Sequence, residues 1–182
     1  MNLDAIRGLS QPDQRSCGPS SLVAAHILVD PAYAATQNPH AFASSVLALH
    51  RELTAPAFGG RAQLPWPRAF GTPPWAVARA MSSYTGLRYR TRLARFGGRA
   101  GLMSRMQAAV TAGHPVPLYV GDRWLPRHVV LAVEPADSDV LVYNPAHGTV
   151  GEMPASEFGS GKLTMFGRWE KPWFVVLPKD DD

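Results

Sequence analysis

Apolar positions along this chain follow a helical period in the first two thirds and a strand pattern in the last third. Residues 1–16 are extended and polar, with Pro12 and no helical repeat. At Cys17 the pattern changes. Gly18-Pro19-Ser20-Ser21 leads into the run Leu22 to Val29, which reads as a helix with proline in its first turn. That run is apolar nearly all round, so the helix should be buried centrally, and Asp30-Pro31 should end it. Asn38-Pro39 predicts a second helix by its cap and its proline, with Phe42, Val46, Leu49 and Leu53 at helical spacing. Residues 54–72 form a long Pro/Gly/aromatic loop, a candidate lid, in which Trp66 and Phe70 either serve a substrate or pack the loop onto the core.

Thr72-Pro73 should cap a third helix that carries Val77, Met81 and Tyr84 and closes at Gly86. Residues 87–93 alternate, with Arg88, Arg90 and Arg92 on one face and Leu87, Tyr89, Thr91 and Leu93 on the other, which predicts a half-exposed strand. A fourth helix is expected over 100–112, ending at Gly113. From Pro115 onward the chain reads as short strands at 116–120, 129–134, 140–143 and 173–177. Helices first and antiparallel strands afterwards describe an α+β fold, and the length of 182 residues fits one domain over 1–182.

Composition narrows the function classes. Hydrophobic residues make up 46% and charged residues 18%, so the chain is globular. No apolar run is long enough to insert into a membrane. Asp4, Arg7, Asp13 and Arg15 interrupt the beginning, which argues against a Sec signal peptide. The chain is expected in the cytoplasm of the producing cell, with delivery into a target cell by a specialised secretion machine leaving no such mark. Net charge is +4, carried by 15 Arg and 3 Lys. The arginine row at 88–92 has no recognition motif or aromatic platform beside it, so it reads as a solvated face and nucleic acid is not an expected partner. A single cysteine excludes an intrachain disulfide and a multi-cysteine zinc site. It is either an inert buried thiol or a reactive one.

The neighbours of Cys17 favour reactivity. A thiol where a helix begins faces unpaired N–H groups and the positive end of the helix dipole, both of which favour thiolate. Gly18 removes bulk beside the sulfur, so a substrate backbone could approach. Gln11, six residues upstream, could donate its amide to an oxyanion together with the Cys17 N–H; Gln14 competes for that role. His128 opens an apolar strand, a rigid mount for a base. Asn144 ends the next strand. If the two strands form a hairpin, its side-chain oxygen could accept the His128 Nδ1–H and leave Nε2 for Cys17. His147 competes as the base from the following turn. His26 should point away from the sulfur, and His40, His50 and His114 should be surface or cap residues.

The spacing Gln-x5-Cys-Gly-Pro, then His at the head of an apolar strand, then Asn-Pro-x-x-Gly, resembles the papain-like fold. More closely it resembles the bacteriocin-processing, double-glycine cysteine peptidases, over residues 11–30 and 116–160. The resemblance implies a cysteine peptidase with Cys17, His128, Asn144 and Gln11 as site residues, a protein or peptide substrate and no cofactor. It further implies cleavage beside small residues such as Gly-Gly, in a narrow cleft that excludes side chains. Two features depart from that group: Asn144 stands where an Asp is usual, and no transporter segment is attached. Free-standing domains of the group include antibacterial effectors delivered by type VI secretion and neutralised by an immunity protein. Rival readings are a deamidase or acyltransferase using the same triad, and a binding module with a dead site.

Overall fold

The all-round apolar run after Cys17 becomes the central helix. In the computed structural model, which describes residues 1–64 and 71–179, it spans Cys17–Val29 (α1) and is buried from Cys17 to Ala25 and again at Ile27. Asp30 ends α1 and caps a short helix, Pro31–Ala34 (α2), its carboxylate accepting from the Ala32 and Tyr33 N–H groups. Asn38 likewise caps Pro39–Leu53 (α3), which buries Phe42, Val46, Leu49 and Leu53 as the spacing predicts. It also buries His50, expected as a surface or cap residue. Two-residue strands Ala57–Phe58 (β1) and Arg61–Ala62 (β2) pair within the long loop; Trp66 and Phe70 lie outside the described residues.

Helix Pro74–Thr85 (α4) closes at Gly86, whose φ of 73° is the left-handed conformation such a stop requires. Its cap is Pro73, with no side-chain hydrogen bond, so Thr72 does not cap it as expected. The rest of the chain supplies Tyr89–Leu93 (β3), Arg99–Thr111 (α5), Val116–Gly121 (β4), Pro126–Ala136 (β5), Asp139–Asn144 (β6), Thr149–Met153 (β7), Ala155–Ser160 (α6) and Lys171–Pro178 (β8). The hydrophobic pattern did not predict β7 or α6. Each has one buried residue, Met153 and Phe158, too few to leave a period.

Six strands form one antiparallel sheet in the order β3-β8-β4-β5-β6-β7. Along β5, Val129, Leu131 and Val133 join α1, α3 and α4 in one core, while Val130 and Ala132 join α5 and α6 in a second. Burial on both faces is why this strand reads as an unbroken apolar run. None of the described helices is long and apolar enough to cross a membrane.

Close approaches require glycine at several positions, two of which bear on the site. A Cβ on Gly148 would sit 2.9 Å from Gly8 and 3.0 Å from Leu9, where the N-terminal segment crosses the turn after β6. Hydrogen bonds from Gly8 N to Gly148 O and from Gln11 N to Pro145 O, both 2.8 Å, strap that segment down. A Cβ on Gly18 would lie 2.6 Å from Thr72 Oγ1 and 2.7 Å from its Cβ. Gly18 therefore admits the loop residue Thr72 onto the start of α1; the reading that it clears space for substrate is corrected.

Gly18→Ala should overpack this contact and destabilise the fold by about 1–3 kcal/mol, seen as a thermal midpoint lowered by several degrees. Pairing it with Thr72→Gly should cost less than the two single changes added together, a non-additivity that a double-mutant cycle measures.

Candidate active site

The site forms where the first turn of α1 meets the beginning of β5. One turn into the helix, Ser21 Oγ donates to Val129 O at 3.2 Å, and the Cys17 thiol interacts with the Val129 backbone. Cys17 and His128 border the same cleft, of about 490 Å³, whose walls include Tyr119, Leu125, Trp75 and Phe174. Both are almost wholly buried, at 6% and 3% exposure. The sheet has thus brought together residues separated by more than half the chain.

Asn144 reaches His128 through the β5–β6 hairpin, whose pairing of Leu131 with Tyr143 leaves Asn144 diagonal to the histidine. Its Oδ1 lies 2.9 Å from His128 Nε2 and also accepts from the Ala146 N–H at 3.0 Å. The second bond fixes the amide: an atom that takes the Ala146 proton must be the oxygen. Nε2 must therefore carry the proton it gives to Asn144, and Nδ1 is the nitrogen left to act as base. This reverses the expected assignment, because the hairpin brings Asn144 to the far end of the ring. Position along the chain carries no information about that direction of approach.

Trp169 completes the surroundings of His128. Its ring lies 5.0 Å from the imidazole, tilted by 32°. No motif marked it, since Arg168-Trp169-Glu170 is a polar stretch just before the last strand. Burial lowers the His128 pKa; the bond to Asn144 opposes this, and the nearby His147 adds to it. Among the two candidate bases it is His128 that holds Asn144. His26 stacks between Tyr33 and Tyr84, at 3.8 and 4.3 Å, and takes no part in the cleft.

The electrostatics of Cys17 differ from the expectation. Burial raises its pKa, and the backbone of Val129, Gly18 and Cys17 itself opposes the rise without overcoming it. Asp13 adds to the rise. The two shifts run against the expected thiolate–imidazolium pair, since burial favours the neutral thiol of Cys17 and the neutral imidazole of His128. Desolvation outweighs the helix end because the sulfur is nearly sealed from water.

Gln11 does not line the cleft; Gln14 does. The Gln11 side chain donates to Asp13 O at 2.7 Å, and its Oε1 is buried without a partner. One of its two N–H groups is left over.

No family model and no curated protein matches the chain. Solved structures do. The peptidase domain of Streptococcus ComA, described as a bi-functional ABC transporter of a quorum-sensing pathway, aligns at 17% identity with a TM-score of 0.47, covering 96% of this chain and 99% of that one. A Bacillus anthracis protein described as a C39-like peptidase aligns at 13% identity with a TM-score of 0.54, covering 97% and 96%. The latter likeness shows the fold: α+β, papain-like, of the kind found in bacteriocin-processing peptidases.

Because the Cys17 pKa is raised, the thiolate fraction at neutral pH is smaller than that of a free thiol. Alkylation of Cys17 by iodoacetamide should accelerate through the alkaline range; a reactive plateau at mildly acidic pH would instead reveal an ion pair. Trp169→Ala should admit water to His128 and raise its pKa towards the unperturbed value of about 6.5, read by NMR titration of the ring protons.

Proposed function

We propose that this chain is a cysteine peptidase in which Cys17 is the nucleophile, His128 the proton carrier and Asn144 the residue that orients the imidazole. The observation that carries this reading is an imidazole anchored by Asn144 in the same cleft as the chain's only cysteine, at the start of a buried helix. As sulfur attacks a peptide carbonyl carbon, its proton passes to His128 Nδ1 and the carbonyl electrons move onto oxygen. The resulting oxyanion draws on the N–H of Cys17, which the helix leaves unpaired, and on Gln11, whose amide must turn from the Asp13 carbonyl into the cleft to reach it. The imidazolium is shielded by Trp169, whose ring face attracts a cation. His128 then gives the proton to the departing amine, the C–N bond breaks and a thioester remains. Water attacks the thioester, giving a proton to His128, and the collapse returns it to Cys17.

The apolar walls of the cleft support a bulky apolar side chain near the scissile bond rather than a slot that excludes side chains. Small residues are then confined to the bond itself, where Gly-Gly is the substrate that the resemblance implies. A secreted antibacterial effector with an immunity protein belongs to the same proposal and rests on the resemblance alone.

Incubation with a peptide library and mass spectrometry of the products tests the reading. New termini are expected, and Cys17→Ala and His128→Ala should each reduce their formation by at least about 10³-fold. Gln11→Ala should cost roughly 10²–10³-fold in kcat. A comparable loss in Gln14→Ala, with none in Gln11→Ala, would move the oxyanion role to the side chain that lines the cleft. Deamidated products without new termini would overturn peptide hydrolysis.

A further inference from the structure

A second groove adjoins the cleft. It lies between α4 and β3, has a volume of about 730 Å³, and is lined by Arg90 and Arg92 from the strand, Arg88 just before it and Arg79 from the helix. No carboxylate among the described residues lines it, and none of these four arginines holds an ion pair there. Arg79 donates only to the Phe58 carbonyl, at 3.4 Å. Four arginines thus line one concavity without a carboxylate to balance them, an excess of positive charge that an anionic occupant would relieve. The sequence could place the three strand arginines on one face. It could not show that a fourth lines the same groove.

Trp75 forms part of the wall of both this groove and the cleft that holds Cys17 and His128. A chain extended through the cleft and past Trp75 would enter the arginine groove. Along a strand, side chains on one face recur every ~6.6–7 Å, the repeat of Arg88, Arg90 and Arg92 and also that of alternate residues in an extended peptide. We propose that the groove binds an acidic segment of the peptide substrate, with Asp or Glu at alternating positions on one side of the scissile bond. This rests on the peptidase reading. A peptide fits better than a nucleic acid, because the groove meets the cleft of Cys17 and His128 at Trp75, so a chain bound in one can continue into the other.

The test uses the full chain in two forms. Binding is read by fluorescence polarisation on the Cys17→Ala protein, with a labelled peptide of alternating Glu and Ser. The expected result is binding that weakens about tenfold or more in the Arg88→Gln/Arg90→Gln/Arg92→Gln variant and at raised salt. Arg79→Glu, on the helix, gives a second weakening variant if the strand variant fails to fold. Cleavage is read on the Cys17-containing protein as the ratio of kcat/KM for a peptide with a Glu/Ser extension to that for one with a Ser extension. That ratio should exceed one and fall towards one in the glutamine variant. Equal binding of a Lys/Ser peptide, or no loss in either arginine variant, overturns the proposal. So does oligothymidylate binding through these arginines that the Glu/Ser peptide cannot displace. Binding seen only when Asp180, Asp181 and Asp182 are changed to Ser would assign the groove to the chain's own end, and also overturns it. Arginine-dependent binding with no cleavage of either peptide keeps the acidic-peptide site and sinks the peptidase reading; cleavage indifferent to the arginines does the reverse.

Discussion

The seating of the first turn of α1 on β5 is the contact on which the remaining geometry depends. Ser21 and Cys17 both reach the Val129 backbone, one turn of helix apart, so the helix end is held at two points against a strand buried on both faces. A helix can approach a strand this closely only where its side chains are small, and α1 presents Gly18, Ser20, Ser21, Ala24 and Ala25 in its buried turns. Thr72, packed onto Gly18, and Tyr119, whose hydroxyl donates to Thr72 O at 2.8 Å, close the same corner from the sheet side. The position of Cys17 is therefore fixed by packing.

Asn144 is held with comparable economy. Its oxygen is engaged by the turn through Ala146 N–H and by His128 through Nε2. The turn is itself fastened to the N-terminal segment through Gly148 and Pro145, and the Tyr143 hydroxyl donates to the Leu9 carbonyl on the same segment. Gln11, Asn144 and His128 are thus joined by one set of hydrogen bonds, although they come from distant parts of the chain. Departure from Asp to Asn at this position has a physical consequence. An amide oxygen aligns the imidazole without adding a negative charge, and the His128 pKa stays low.

Burial governs the chemistry more than the helix dipole does. A nearly sealed sulfur favours the neutral thiol, and a nearly sealed imidazole favours the neutral base. In the proposed peptidase, proton transfer in such a pair would be coupled to attack, when substrate supplies the electrophile and the developing oxyanion draws on the donors around it. The same exclusion of water that raises the thiol strengthens those donors once charge appears.

Much of the fold was legible in the primary structure. Caps at Asp30 and Asn38, the period of α3 and the continuous apolar run of β5 each encode a local preference that packing reinforces. The candidate chemistry was legible too, since a lone Cys before an apolar helix, a His heading a strand and an Asn ending the next are local signals. What they could not encode is direction. Which imidazole nitrogen meets Asn144, that Thr72 rather than substrate meets Gly18, that Trp169 packs beside His128 and that Arg79 lines one groove with Arg88, Arg90 and Arg92 all depend on contacts between distant segments. By itself, the order of residues determined which elements form and which side chains are chemically capable. The tertiary structure decided their mutual orientation and their exposure to water, because both are properties of packing that no local period records.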